Sequence, residues 1–208
     1  MDLCQGTKKM TPSKSVHVLV FDGFADWEPA HALAELRRSG KRSIRTVGFG
    51  RDPVTSMGGL RITPDVELAA VRPDDVELLI LPGGDLWESA EYPRQELEEL
   101  VVAVLAASAP VAAICAATLA LGRAGILDYR RHTSNMPNYL TTHAREYRGA
   151  DHYVDELAVS DRHVITASGL GDVDFARAIF AELGLFSAAD EQAWFDMFKH
   201  GRLPADVI

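Results

Sequence analysis

The sequence predicts an α/β fold, a three-layer sandwich in which a mostly parallel sheet carries helices on both faces. Three observations predict it. Short β-branched runs alternate with longer stretches of helical periodicity, the pattern of repeated βα units. The short runs are almost continuously apolar, as in strands covered on both sides. The chain has 208 residues, 47% of them hydrophobic and 25% charged, which suits one large core built without disulfides.

Residues 1–15 are polar and lysine-bearing, and are expected to form a flexible leader ahead of one domain spanning 16–208. Residues 16–21 (VHVLVF) form the first strand. Asp26 stands where an N-cap belongs and Pro29 suits a first turn. Ala30, Leu33, Ala34 and Leu36 then carry a helix to Gly40, a C′ stop. A second strand covers 44–49. Gly58-Gly59, between two short runs within 55–63, predicts a hairpin. Residues 76–81 (VELLIL) are another buried strand, ending on Pro82-Gly83-Gly84. Leu97, Leu100, Val101, Val104 and Leu105 give residues 95–107 a helical stripe. A strand at 111–114 runs straight into Cys115, and 116–124 is a helix closing on Gly125. Further on, 157–160 and 163–167 predict a hairpin through Asp161-Arg162, followed by helices over 172–183 and 188–199.

Several classes of function are disfavoured by composition. Lys and Arg total 21 against 30 Asp and Glu, for a net charge of -9, and no basic cluster stands out. Binding to nucleic acid or an anionic membrane is therefore not expected. The first fifteen residues lack the apolar run of a signal peptide, and no segment approaches the roughly 18 apolar residues of a membrane span. A cytoplasmic location is the expectation. Cys4 and Cys115 are the two cysteines, too few for a disulfide framework. The seven histidines show neither H-x₃-H nor H-E-x-x-H spacing, so no metal or other cofactor is expected.

Parallel sheets bind ligands at the carboxyl ends of their strands. That rule selects 22–28, 82–88 and 115–118. A lone buried cysteine is by default a small core hydrophobe, but Cys115 lies between a buried strand and a helix with no loop between them. This is the setting of a nucleophile elbow, and Ala113, Ala116 and Ala117 are small enough to permit it. At an ordinary pKa of about 8.5 only a few per cent of a thiol is ionised at pH 7. Lowering it by about three pH units needs about 4 kcal/mol, whereas a helix start supplies about 0.3–1 kcal/mol, up to ~2 when partly buried. A second polar partner is required. Glu28 is open to two readings: that partner, or a first-turn glutamate facing water.

The segment AAICAAT after a strand, with LPGG upstream and GFADWEPAHALAELRRSG (residues 23–40) before both, resembles the ThiJ/PfpI superfamily. The likeness runs from about Val16 to Leu183 and is looser after Leu127. It implies a flavodoxin-like sandwich of the class I glutamine amidotransferase type. It places Glu28 as a protonated carboxyl hydrogen-bonded to the sulfur, and the amides of Gly84 and Ala116, beside Gly83, as an oxyanion hole. Burial next to an anion would raise the Glu28 pKa. Trp27, Trp87 and Glu88 either shape the pocket or, for the tryptophans, pack at a surface. The resemblance also implies a homodimer and a small-molecule substrate.

One element departs from the family. Where many members carry a histidine, RRHTSN (residues 130–135) places Asn135, with His132 three positions earlier and His143 further along. Residues three apart on a strand face opposite ways, so His132 is no simple substitute. Asparagine can orient a ligand but cannot shuttle a proton near neutrality. The leading expectation is a Cys115 nucleophile acting on reactive carbonyls or amide-like compounds. The alternatives are an oxidative-stress sensor forming a sulfinate, and a scaffold with an inert cysteine. A glutamine amidotransferase-like enzyme would need a later His-x-Glu, which is missing; an isocyanide hydratase-like one would need an alcohol where Ala116 stands.

Overall fold

The computed structural model describes residues 14–89 and 91–203. The expected leader, Cys4 included, lies almost wholly outside them. Strand β1 (Ser15–Leu19) is buried along its whole length and is followed by helix α1 (Ala30–Arg38). β2 (Ile44–Gly48) leads into the small hairpin β3 (Val54–Thr55) and β4 (Arg61–Ile62), then β5 (Val66–Glu67) and β6 (Val76–Leu81). Helices α2 (Leu86–Ser89) and α3 (Arg94–Ala106) precede β7 (Val111–Ile114). After Cys115 come α4 (Thr118–Arg123) and α5 (Tyr139–His143), the hairpin β8 (Ala158–Asp161) and β9 (Val164–Ala167), and helices α6 (Asp172–Leu183) and α7 (Ala188–His200).

Seven strands form one sheet in the order β5-β2-β1-β6-β7-β9-β8. All neighbours are parallel except β8 and β9, which form an antiparallel hairpin at one edge. The order reverses direction between β1 and β6, so the ligand crevice belongs above those strands and β7. Leu97, Leu100, Val101 and Val104 of α3 face one side of the sheet with Leu119 and Leu121 of α4. On the other side Leu36 of α1, Phe175, Ile179 and Phe180 of α6 and Trp194 of α7 cover Val16, Val18, Leu78 and Ile80. Alternate residues of each central strand enter opposite cores, which is why those strands read as unbroken apolar runs. No helix among the described residues is long and apolar enough to cross a membrane.

Two local expectations are corrected. Asp26 does not cap α1, whose N-cap is Pro29 with no side-chain bond. Its carboxylate instead accepts from Ser56 Oγ at 2.5 Å and Gly58 N–H at 3.2 Å, fastening the β3–β4 hairpin to the β1–α1 loop. The β8–β9 turn also slips by one residue. Asp161 pairs with Val164, and Arg162 and His163 adopt φ of 49° and 64° in a two-residue turn of the kind hairpin twist favours.

Candidate active site

Three loops at the carboxyl ends of β1, β6 and β7 meet as the crevice rule requires. Cys115 leaves β7 with φ of 60°, a left-handed conformation that costs a non-glycine residue about 1–2 kcal/mol. The strain is held from below: Thr118 Oγ1 donates to the Cys115 carbonyl at 2.7 Å and shares a 2.6 Å hydrogen bond with Ser134 Oγ. The side chain thereby points up out of the sheet at the start of a short 3₁₀ turn, the elbow geometry expected from the sequence.

Glu28 is 1% exposed and faces Cys115 across Gly83. The first-turn, water-facing alternative for Glu28 is thus excluded. Its Oε2 accepts from the Gly83 amide at 2.5 Å. Only glycine fits at 83, because a Cβ there would lie 2.7 Å from that oxygen and 2.8 Å from the Cys115 Cβ. Gly84, at φ of 148°, is equally confined by the Gly23 carbonyl and the Phe21 ring.

Burial pushes the Glu28 carboxyl up to about 7, against the lowering pull of the Gly83 amide and the Cys115 thiol. The Cys115 thiol is also raised, to about 11, first by burial and then by the Glu28 charge, while the Asn135 amide and Ala116 N–H pull it down. The helix-start argument alone predicts a lowered thiol. The structure opposes it because desolvation outweighs one short turn of helix dipole. The two groups are coupled: a Glu28 carboxylate opposes the thiolate, and protonating Glu28 removes that charge.

Asn135 reaches the sulfur, as its position in the sequence suggests. Its Nδ2 donates to Cys115 Sγ at 3.4 Å, and its Oδ1 accepts from the Gly169 amide at 3.0 Å. Gly169 approaches so closely that a Cβ there would sit 2.9 Å from Sγ. Nothing in the sequence marks Gly169, since the contact is made across the sheet.

Two expected pocket residues lie elsewhere. His132 is fully buried, with Nδ1 on the Arg130 carbonyl at 2.7 Å and Nε2 on Tyr147 Oη at 2.6 Å. Both ring nitrogens are thus occupied away from Cys115. Trp87 is core: its ring packs edge-on against Phe21 and Tyr92, and Nε1 donates to the Pro82 carbonyl at 2.8 Å. His143 is exposed on α5, beside the Tyr139 ring at 4.9 Å.

What remains is a hollow of about 240 Å³ over Cys115, lined by Glu28, Gly84 and Ala116 and rimmed by Trp27, Asp85, Glu88, Met57 and Tyr139. Tyr139, missed in the sequence because α5 is a single short turn, donates its hydroxyl to Glu88 Oε1 at 2.8 Å. Such a hollow admits a small molecule of a few heavy atoms beside the sulfur.

Fold and site together define an α/β protein with a cysteine elbow facing a buried carboxyl. The family model described as DJ-1/PfpI matches residues 14–182, and the chain belongs to that family. It is 33% identical to the "Uncharacterized protease YoaZ" of Bacillus subtilis, over 90% of this chain and 91% of that one. It is 30% identical to the "Glutathione-independent glyoxalase DJR-1.2" of Caenorhabditis elegans, over 84% of this chain and 91% of that one. Among solved structures, the DJ-1 superfamily protein Atu0886 of Agrobacterium tumefaciens superposes with a TM-score of 0.83 at 37% identity, covering 91% of this chain and all of that one.

Proposed function

We propose that this chain is a cysteine-dependent enzyme for small electrophiles, in which the Cys115 thiolate attacks a reactive carbonyl or amide-like carbon and Glu28 supplies the proton. The observation that carries this reading is the juxtaposition of Cys115, at a strained elbow, with the buried Glu28 carboxyl in the lining of one hollow. The steps balance. A C–S bond forms, the carbonyl π pair moves to oxygen, and the proton of Glu28 passes to that oxygen, leaving a thiohemiacetal and a carboxylate. With an amide-like substrate the same proton leaves on the amine and a thioester remains. The N–H groups of Gly84 and Ala116 are the proposed oxyanion donors. The glyoxalase name of one relative supports the carbonyl arm, and the protease name of another the amide arm. The reading includes a cytoplasmic homodimer, tested by light scattering of the purified chain.

The test is the rate of iodoacetamide alkylation of Cys115 between pH 4 and 10 in wild type and Glu28→Gln. The proposal predicts a reactive step with a midpoint well below about 8.5 in wild type, which moves in the variant, where an uncharged amide replaces the ionisable carboxyl. A single midpoint at or above about 8.5, unmoved by the substitution, overturns the proposal.

A second reading, a peroxide sensor oxidised to sulfinate, is favoured by one observation: Asn135 occupies the position beside Sγ from which a histidine would shuttle protons. Each of two equivalents of peroxide would transfer one oxygen to the sulfur and release the other as water. Turnover of glyoxal too slow to follow, with ready gain of two oxygens by mass spectrometry, selects the sensor; the reverse pattern rejects it.

A further inference from the structure

The hollow over Cys115 is one-sided in charge. Besides Glu28, the residues that line it include the exposed Asp85 and Glu88, and among the described residues no Lys, Arg or His. Glu88 is not a free surface side chain, because the Tyr139 hydroxyl donates to it at 2.8 Å. Burial and the Glu88 carboxylate both keep that phenol protonated, so it stays a donor. The neighbouring cation, Arg123, lies behind Tyr139 with its N–H groups taken by the Trp87 and His143 carbonyls and Tyr92 Oη. Trp27, 50% exposed, lines the same hollow and offers a ring face of the kind that attracts ammonium groups. At about 240 Å³ the space is so small that any charged group bound in it lies within a Debye length of about 8 Å of these carboxylates.

We infer that the pocket selects its electrophile by charge, favouring small carbonyl or acyl compounds that carry an ammonium group and rejecting those that carry a carboxylate, with Glu88 and Asp85 as specificity-determining residues. This rests on Cys115 being the nucleophile. It goes beyond it by naming the chemical class: amino-aldehydes and their acyl counterparts rather than oxo-acids. Tyr139 is a positioning residue, holding Glu88 in the lining.

Methanethiosulfonate reagents test the two ideas separately. The thiolate attacks the sulfenyl sulfur, a disulfide forms and a sulfinate leaves, so no turnover is needed. Rates are measured with methyl, trimethylammonioethyl and sulfonatoethyl reagents in a Cys4→Ser background, which leaves Cys115 as the sole thiol. The cation-to-anion ratio, each rate taken relative to the neutral reagent, is compared with the same ratio on a small uncharged thiol. The expected preference is about tenfold or more above that reference, shrinking in 1 M salt. It falls toward the reference in Glu88→Gln with Asp85→Asn, where glutamine still accepts the Tyr139 hydrogen bond. A wild-type ratio equal to the reference, with a normal neutral rate, overturns charge selection and leaves the nucleophile standing. A preference undiminished in the double variant overturns the assignment to these residues. Failure of even the neutral reagent overturns the nucleophile and this inference together.

Discussion

A carboxyl that folding carries from water to a site 1% exposed binds its proton more tightly in the native state than in the unfolded chain. Glu28 is raised from 4.5 to about 7, so between those values the native state holds more protons and stability falls as pH rises. The contribution is fully lost above about 7, and at about 1.4 kcal/mol per pH unit it reaches about 3 kcal/mol. Denaturant titrations of wild type and Glu28→Gln should coincide near pH 4, and at pH 8 the wild type should be the weaker by up to that amount. A difference that stays constant with pH contradicts the burial argument. Gly83→Ala carries a steric prediction: its Cβ would press on both Glu28 and Cys115. The expected loss is about 1–3 kcal/mol, with disappearance of the near-neutral alkylation step. Cys115 was legible in the sequence because it follows a buried strand with no loop between, whereas Glu28 and Asn135 were placed by resemblance to the family. His132 and Trp87 were not, because an aromatic side chain next to a pocket segment can point down into the core as readily as up. Gly169 and Tyr139 gave no signal, since their roles come from contacts between distant parts of the chain.

Among the elements, the elbow between β7 and α4 departs furthest from unstrained backbone. Cys115 holds φ of 60° with Thr118 fastening its carbonyl. Glycine occupies that conformation without penalty, so Cys115→Gly should be more stable than Cys115→Ala by about 1 kcal/mol, measured by chemical denaturation. Equal stabilities would mean that the strain relaxes when the sulfur is removed. The long helices and central strands follow the sequence reading closely because their periodicity extends over several turns or a whole apolar run. α2, α5 and β5 are absent from that reading. Each has only two to five residues, too few for any period to show, and each exists because a neighbour holds it. The slipped β8–β9 turn has a different cause. Arg162 and His163 lack the glycine or asparagine that usually marks a positive φ, so pairing of Asp161 with Val164 sets the turn from outside.

At the scale of the whole molecule, one sheet separates two cores, and each face carries a buried tryptophan: Trp87 with α3 and α4, Trp194 with α1, α6 and α7. Because the central strands contribute to both faces, neither core can dissolve alone. Fluorescence of Trp87-only and Trp194-only variants, with the other tryptophans replaced by phenylalanine, should report the same midpoint in denaturant. An earlier transition at Trp194 would show the α6–α7 face opening first. The fastening of the β3–β4 hairpin by Asp26 bears on how substrates enter. Met57 at the rim, with its amide on the Phe24 carbonyl, and Glu28 at the floor are tied to the same short stretch of chain. On the proposed mechanism, a guest wide enough to displace this hairpin also pulls on the loop that holds Glu28 beside Cys115. The proposed reaction would then police width by itself: an oversized molecule would disarm the pair in the act of entering.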